Sequence, residues 1–420
     1  MSEASYRAPK GTQDVLWPES ARWERLVAMF AGLSDRAGFG LHVPPMFEHY
    51  EVFARVGAST DIVRKEMYDF DDRGGRHIAL RPEGTASVVR AFVEHHPTTP
   101  FKVWYVGPSF RNERPQKGRY RQHHQLGVEV LGSDDPTVDV EVIALLADLF
   151  AALGLTRVRL QLNSLGDAAC RPAYLDALRA YLEASAGALS AQSVETLATN
   201  PLRVLDSKRR EDQATIDGAP KQLDHLCSEC EAHFAAVCSG LDALGVAYEL
   251  APRLVRGLDY YTRTTFEFAA DALDGAQNAI GGGGRYDGLA AQMGGPPTPG
   301  IGFGAGIERM LLACDAEGTF AAPAASVDVF VVDVTGAPTA SLLLSRDLRA
   351  LGVRVERGLD GRSMKSQLKQ ADRQGAALAL IVGEQELVDG TVTVRDLRAG
   401  EQDVVNRDVV VDHVRKTLHP

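Results

Sequence analysis

The sequence predicts an α+β fold: a long mixed body interrupted by a helical insertion, then a smaller α/β domain. Three observations predict it. Two strand-like segments, "FKVWYVGPSF" and "YRQHHQLGVEVLG", flank a basic loop and read as an antiparallel hairpin. Residues 167–245 are rich in Ala and Leu at helical spacing and carry few strand signals. Beyond "DAEGTFAAPAAS" (315–326), a Pro-containing stretch of low hydrophobicity, strand segments are separated by helical ones. The expected division is a body at 1–322 with the insertion at roughly 168–240, a linker at 323–327, and an α/β domain at 328–420.

In chain order, residues 19–38 are an expected amphipathic helix, with Trp23, Leu26, Val27 and Phe30 at helical spacing. "HIALRPEGTASVVRAFVEH" reads as a strand, a Pro-Glu-Gly turn and a helix starting near Thr85. After the hairpin come a helix at 138–153 and the strand "RVRLQLNSL". Strand signals return at 254–269 and 299–305, and a helix follows at 307–314. The last domain offers "VDVFVVDV", "VRVER", "ALALIVG" and "TVTVRDL" as strands.

Composition bounds the function. With 420 residues, 45% hydrophobic and 24% charged, the chain has the make-up of two or three globular domains. No apolar run reaches the roughly 18 residues that a membrane span needs, and the N-terminus shows no charged-then-apolar leader. Five cysteines make no disulfide framework, so a reducing cytoplasm is the expected compartment. Net charge is −11, but from residue 326 onward 13 Lys/Arg face 14 Asp/Glu, so the first part holds nearly all the excess acid. Such a body does not bind nucleic acid non-specifically. A polyanion must be met at a local basic site, and residues 111–121 are the best candidate.

That loop leads into a strand whose side chains alternate faces. His123, Gln125, Gly127 and Glu129 share one face; Leu126, Val128 and Val130 share the other, which is core. Polar groups beside a glycine suit a small polar ligand lying on a sheet. Arg111, Arg114, Lys117, Arg119 and Arg121 are placed to clamp phosphates through guanidinium contacts. In "PGIGFGAGIERMLLAC", Gly300, Gly302, Gly304 and Gly306 alternate, leaving one face as bare backbone that a flat ring can approach. Glu308 and Arg309 follow in the first turn of a helix. No G-x-x-x-x-G-K-[ST] loop exists, which excludes a P-loop nucleotidase. Arg256, set among Leu254, Val255 and Leu258, needs an anionic partner, either a carboxylate such as Asp259 or a ligand. The four glycines of "GGGGRYDG" (281–288) read as a tight turn near something bulky. "HLCSECEAHF" offers His225, Cys227, Cys230 and His233, but these crowd onto one helix, unlike the two separated ligand pairs of zinc modules. No metal site is expected there.

Together, "KGTQD", "IVRKEMYDFDDRGGRHIALRPEGT", "FRNERPQKGRYRQHHQ", "LVRGLDYYT", "GGGGRYDGL" and "GIGFGAGIERMLL" resemble the signatures of the histidyl-tRNA synthetase family, within class II of the aminoacyl-tRNA synthetases. The resemblance runs along nearly the whole chain. It implies a six-stranded antiparallel catalytic sheet flanked by helices, a helical insertion, an anticodon-binding α/β domain, and a homodimer built near residues 41–60. It also implies the reaction: L-histidine and ATP, with Mg²⁺, give histidyl-adenylate, and histidine then passes to the terminal ribose of tRNA(His).

By the same resemblance, Arg111 holds the α-phosphate and Arg256 stands near that phosphate and the carboxylate. Arg119 or Arg121, with Arg309, reach the β- and γ-phosphates. Glu113 meets the adenine amino group, Arg309 stacks on the ring, and His123 stands where the class commonly stacks Phe. Glu83, Thr85 and Gln125 take the amino group of histidine, Glu129 and Tyr261 its imidazole, and Tyr260 and Tyr286 close the pocket. Lys365, Lys369 and Arg373, spaced i, i+4, i+8 in "RSMKSQLKQADRQG", are candidate tRNA contacts. Two other readings stand beside this one. One is a regulatory paralogue without aminoacylation; the other is a class II enzyme for a different amino acid.

Overall fold

Inward-facing Val, Ile and Phe on alternate positions build the centre of the body. A computed structural model describes residues 6–57, 60, 62–255, 260–273, 278–335, 338–359 and 361–418. They fall into two compact units, Met1–Asp14 with Trp23–Ala321, and Val15–Arg22 with Ala322–Pro420.

The first unit holds an eight-stranded sheet: β1 (Gly40–Leu41), β2 (Phe101–Phe110), β3 (Gln122–Leu131), β4 (Val158–Ser164), β5 (Glu249–Leu250), β6 (Thr262–Ala270), β7 (Ala279–Arg285) and β8 (Gly300–Gly306). Their order is β1-β2-β3-β8-β7-β6-β4-β5. The central six pair antiparallel, and the two-residue edge strands β1 and β5 pair parallel to them. The expected antiparallel sheet is therefore extended by one short strand at each side.

One sheet face is covered by α1 (Glu19–Arg36), α3 (Pro136–Ala152), α4 (Ser228–Leu244) and α5 (Ile307–Glu317), through Leu26, Phe30, Ile143, Leu146, Val237, Leu241 and Met310 packed on Leu126, Val128 and Phe303. Each such buried side chain contributes about 1.5–3 kcal/mol of transfer free energy. The other face meets α2 (Thr85–His95), whose Val88, Val89 and Phe92 join Val103, Tyr105 and Tyr286. A small sheet in the order Phe47–His49, His77–Leu80, Tyr68–Asp71 went unread in the sequence apart from its middle strand.

Two expectations need correcting. Of the described residues in the run 254–269, strand begins at Thr262, while Leu254 N–H closes a turn onto Ala251 O. Gly281–Gly284 are not a turn but the interior of β7. A Cβ at Gly283 would strike the backbone of Gly302, and one at Gly284 would lie 3.0 Å from the Tyr261 ring, so glycine permits close approach rather than a bend.

Residues 167–245 contain helices, including Arg171–Ala184, Ala191–Thr199 and α4, and no strand. The second unit has a five-stranded sheet of β9 (Val329–Asp333), β10 (Val355–Arg357), β11 (Leu378–Val382), β12 (Thr391–Asp396) and β13 (Gln402–Asn406), in the order β10-β9-β11-β12-β13. β13 was not anticipated. Its burial is slight, so it lacks the apolar alternation that reveals the others.

Candidate active site

The face of β3 that carries Gln125, Gly127 and Glu129 looks onto a site built at two ends of β8. Register sets Gly302 opposite Glu129, Gly304 opposite Gly127 and Gly306 opposite Gln125. A Cβ at Gly302 would overlap the Glu129 carboxylate, and one at Gly300 would overlap the Tyr286 ring. At Gly304 the nearest neighbour is Gln125 Nε2, at 3.4 Å, and at Gly306 it is Arg309 Cβ, at 4.0 Å. The four alternating glycines therefore serve two purposes: one pair seats the protein's own side chains, the other floors an open cleft.

At the first end everything is buried. Glu129 Oε1 accepts from Thr85 Oγ1 at 2.6 Å and from Tyr105 OH at 3.3 Å, while Oε2 accepts from Tyr286 OH at 2.5 Å. Burial pushes the Glu129 carboxyl up to about 8; the hydroxyls of Thr85, Tyr286 and Tyr105 pull it down, and nearby Glu83 adds to the rise. Glu83 caps α2, its two oxygens accepting from Thr85 N (2.6 Å) and Ala86 N (2.9 Å). Burial raises its carboxyl too, against those backbone donors. The rings of Tyr260 and Tyr261 lie 4.8 Å apart, and Tyr260 meets Tyr286 edge-on at 6.0 Å. Tyr286 is fixed by its neighbour Arg285. That fully buried guanidinium pairs with Asp139 at 2.7 Å and donates to the carbonyls of Ser133 and Asp135.

The second end is a cleft of about 240 Å³, lined by Arg111, Glu113, Arg119, His123, Gln125 and Arg309 among others, over Gly281, Gly282, Gly304 and Gly306. Its cations feel one another. Burial, then the charges of Arg119 and Arg111, push the Arg309 guanidinium below its usual value. Burial, then Arg111 and Arg309, push His123 down to about 3, so its imidazole is neutral at physiological pH. Arg309 is held by Gly118 O (3.1 Å) and Ala279 O (2.9 Å), Arg111 by Pro82 O (3.0 Å), and Arg119 pairs with Glu113. Glu308 also lines the cleft, and both its oxygens accept from His124 N at 3.0 Å, tying α5 to β3. Three guanidinium groups share this cleft with the carboxylates of Glu113, Glu267 and Glu308 over bare backbone, an arrangement that offers cations to phosphates, an acceptor to an amino group and a flat floor to a ring.

The structure thus gathers Arg111, Glu113, Arg119, His123, Gln125 and Arg309 around one cleft, and Glu83, Thr85, Glu129, Tyr260, Tyr261 and Tyr286 in the adjoining buried cluster. Arg121 stands apart: its Nε donates to Glu113 O, its stem packs on Gly11, and it is not among the cleft residues. Arg256 lies outside the described residues. Lys365, Lys369 and Arg373 are all exposed on α6 (Met364–Arg373), whose Gln367 and Ala371 are buried. Tyr105 and Ser109, the latter donating to Gln125 Oε1 at 3.1 Å, were missed, although alternation along "FKVWYVGPSF" puts them on the site face. Glu267, which also lines the cleft, was missed for want of any local signal. The grouping His225, Cys227, Cys230, His233 does not form. His233 binds Asp139 at 2.8 Å and the His225 ring lies against Tyr174.

Similarity to known proteins points to one family. A family model for histidyl-tRNA synthetase matches residues 11–310, and one for an anticodon binding domain matches 328–417. A histidine–tRNA ligase of Rhodococcus erythropolis is 52% identical over 98% of each chain. The apo histidyl-tRNA synthetase of S. aureus superposes with a TM-score of 0.82 at 36% identity, covering 98% of this chain and 100% of that one. A Bacillus halodurans structure titled as an ATP phosphoribosyltransferase regulatory subunit/histidyl-tRNA synthetase shares the fold at TM-score 0.65 and 18% identity, over 90% of this chain and 98% of that one.

Proposed function

The chain belongs to the histidyl-tRNA synthetase family, and we propose that the cleft over Gly304 and Gly306 binds ATP while the Glu129 cluster receives the histidine side chain. Its reaction is the family's two-step aminoacylation: histidine is activated with ATP, then transferred to tRNA. The observation that carries the site assignment is the convergence of Arg111, Arg119 and Arg309 on one cleft next to Gln125.

Activation brings two anions together, and negative charge grows on the α-phosphorus oxygens as the carboxylate attacks. Fixed guanidinium groups stabilise that charge without reorganising. Arg111 is assigned to the α-phosphate, with Arg256 as its expected partner; Arg119, rather than Arg121, and Arg309 take the β- and γ-phosphates. Glu113 accepts from the adenine amino group, and neutral His123 stacks beneath the ring as the class's Phe does, with Arg309 above it.

Gln125, Thr85 and Glu83 take the amino group of histidine. Glu129 and Tyr261 satisfy its two ring nitrogens, with Tyr260 and Tyr286 as walls. A side chain lacking those nitrogens leaves buried polar groups unpaired, which is the source of specificity. Glu267, a carboxylate lining the cleft, would help to hold Mg²⁺. Once bound, it neutralises triphosphate charge.

Lys365, Lys369 and Arg373 form the proposed tRNA-facing stripe of the second unit. The apolar Leu41, Val43, Met46 and Phe47, each more than half exposed, support a homodimer interface in residues 41–60. Among the described residues no helix is long and apolar enough to cross a membrane. Together with the tRNA partner, five free thiols suit a cytoplasmic location.

Amino-acid-dependent ATP–pyrophosphate exchange by the purified protein tests the assignment. Exchange with histidine alone is expected. Absence of exchange returns the regulatory reading, and exchange with another amino acid overturns the Glu129 pocket.

A further inference from the structure

Three of the five cysteines converge although they come from different parts of the chain. Ligand atoms of Asp167, Cys170, Cys227 and Cys230 all lie within 4.8 Å of one another. We propose that these four residues form a tetrahedral zinc site that clamps residues 165–171 to the N-terminus of α4.

The ligand pattern is Asp-x-x-Cys followed, well downstream, by Cys-x-x-Cys: the two separated pairs that structural zinc sites use. Asp167 Oδ1 lies 3.6 Å from Cys170 Sγ and 3.9 Å from Cys227 Sγ. With zinc–sulfur near 2.3 Å and zinc–oxygen near 2.0 Å, a tetrahedron has a sulfur–oxygen edge of about 3.5 Å. Those two edges therefore sit within a few tenths of an ångström of coordination distance, and the remaining donor atoms, all within 4.8 Å of one another, close by about 1 Å or less around the ion. Thiolates select zinc over the hard cations that a carboxylate cluster alone prefers.

The surroundings are built for this arrangement. Cys170 and Cys230 are buried, at 6% and 1% exposure. Gly166 has φ +62°, and a Cβ there would come within 2.6 Å of Cys170 Sγ, so a side chain would drive the thiol out of the cluster. Arg263 Nη2 reaches Asp167 Oδ2 at 3.4 Å, the outer contact that orients a ligating carboxylate. Binding needs no oxidant: Zn²⁺ enters as three thiol protons leave to water, and the carboxylate coordinates through Oδ1.

The clamp also reaches the active site. Arg263 N–H donates to Gly166 O and Leu165 N–H donates to Arg263 O, both at 2.7 Å, while Arg171 Nη1 donates to Tyr261 O at 2.9 Å. The loop that carries Asp167 and Cys170 thus holds the backbone on either side of Thr262, where β6 leaves the tyrosine cluster.

The test uses full-length protein purified without chelator from zinc-supplemented medium, with bound metal measured by elemental analysis. A one-to-one zinc-to-chain ratio is expected, falling to background in Cys170→Ser and in Cys227→Ser but retained in Cys238→Ser, a thiol outside the cluster. The second measurement needs no variant: cobalt-exchanged wild-type protein shows thiolate-to-cobalt charge transfer and the strong visible bands of a tetrahedral site. Wild-type protein with less than about a tenth of an equivalent of zinc and no cobalt spectrum overturns the proposal. So does recovery of Cys227 and Cys230 as a disulfide in reducing buffer, or equal zinc loss in Cys238→Ser.

Discussion

Gly300 and Gly302 lie beneath the protein's own side chains, whereas Gly304 and Gly306, on the same strand and the same face, lie beneath an open cleft. At the first end, hydroxyls and a carboxylate satisfy one another in the absence of any ligand. At the second, Arg111, Arg119 and Arg309 line one cleft, and burial together with the charges of Arg119 and Arg111 pushes the Arg309 guanidinium below its usual value. Under the proposed assignment the first end reads a neutral polar ring and the second binds a polyanion. One pattern of glycines in the sequence supports both, because what differs is the neighbour each glycine faces.

The largest expected effect comes from breaking the cationic end. Arg111→Ala lowers the rate of histidine-dependent ATP–pyrophosphate exchange by about 10²–10³-fold, the usual loss when a positioned transition-state donor is removed. A change below about threefold would make Arg111 a loop anchor, held by Pro82 O, and erase the contrast between the two ends.

Next is the buried end. Glu129→Gln raises KM for histidine by about 10–100-fold, as loss of a buried hydrogen-bond partner predicts, and leaves KM for ATP nearly unchanged. Equal rises would mean that the ends are one site. The same variant sharpens the electrostatics. With its carboxyl at about 8 in the fold against the ordinary glutamate value of 4.5, Glu129 takes up a proton on folding between those values. Its neutral form supports the fold fully below about pH 4.5, and that support is lost as pH rises towards about 8. Denaturation midpoints of the wild-type protein should fall across this window, with a shallower slope in Glu129→Gln; identical slopes would show that Glu129 is ionised throughout.

The smallest effect separates the glycines themselves. Gly302→Ala must push the Glu129 carboxylate aside and should cost about 1–3 kcal/mol of stability by chemical denaturation, as overpacked cores do. Gly306→Ala meets only Arg309 Cβ at 4.0 Å and should stay within about 0.5 kcal/mol of the wild type, while raising KM for ATP by crowding the cleft floor. If both are equally destabilising, Gly306 is a packing residue and not a floor.

Much of this was legible in the chain. Alternation on β3 separates Leu126, Val128 and Val130 from Gln125 and Glu129 because strand pleating is a local property of two successive residues. The basic loop, the helical insertion and the helix at Thr85 follow from equally local signals. The choice between Arg119 and Arg121 could not be read from the chain, because charge says nothing about direction: the Arg121 stem turns towards Gly11, while Arg119 lines the cleft. Gly281–Gly284 were misread as a turn because glycine permits both a bend and close strand packing, and the neighbours β6 and β8 decide between them.

What the amino-acid order determined alone is therefore what short-range geometry dictates: which side chains share a face, which helices are amphipathic, and where cations accumulate. Only the tertiary structure decided that Gly302 shelters Glu129 while Gly306 floors a cleft, that His233 serves Asp139, and that Asp167 and Cys170 meet Cys227 and Cys230. The reason is physical. Periodicity is written within a few residues, whereas charge neutralisation, burial and metal coordination depend on groups far apart in the chain that only the packing of sheet and helices brings within reach.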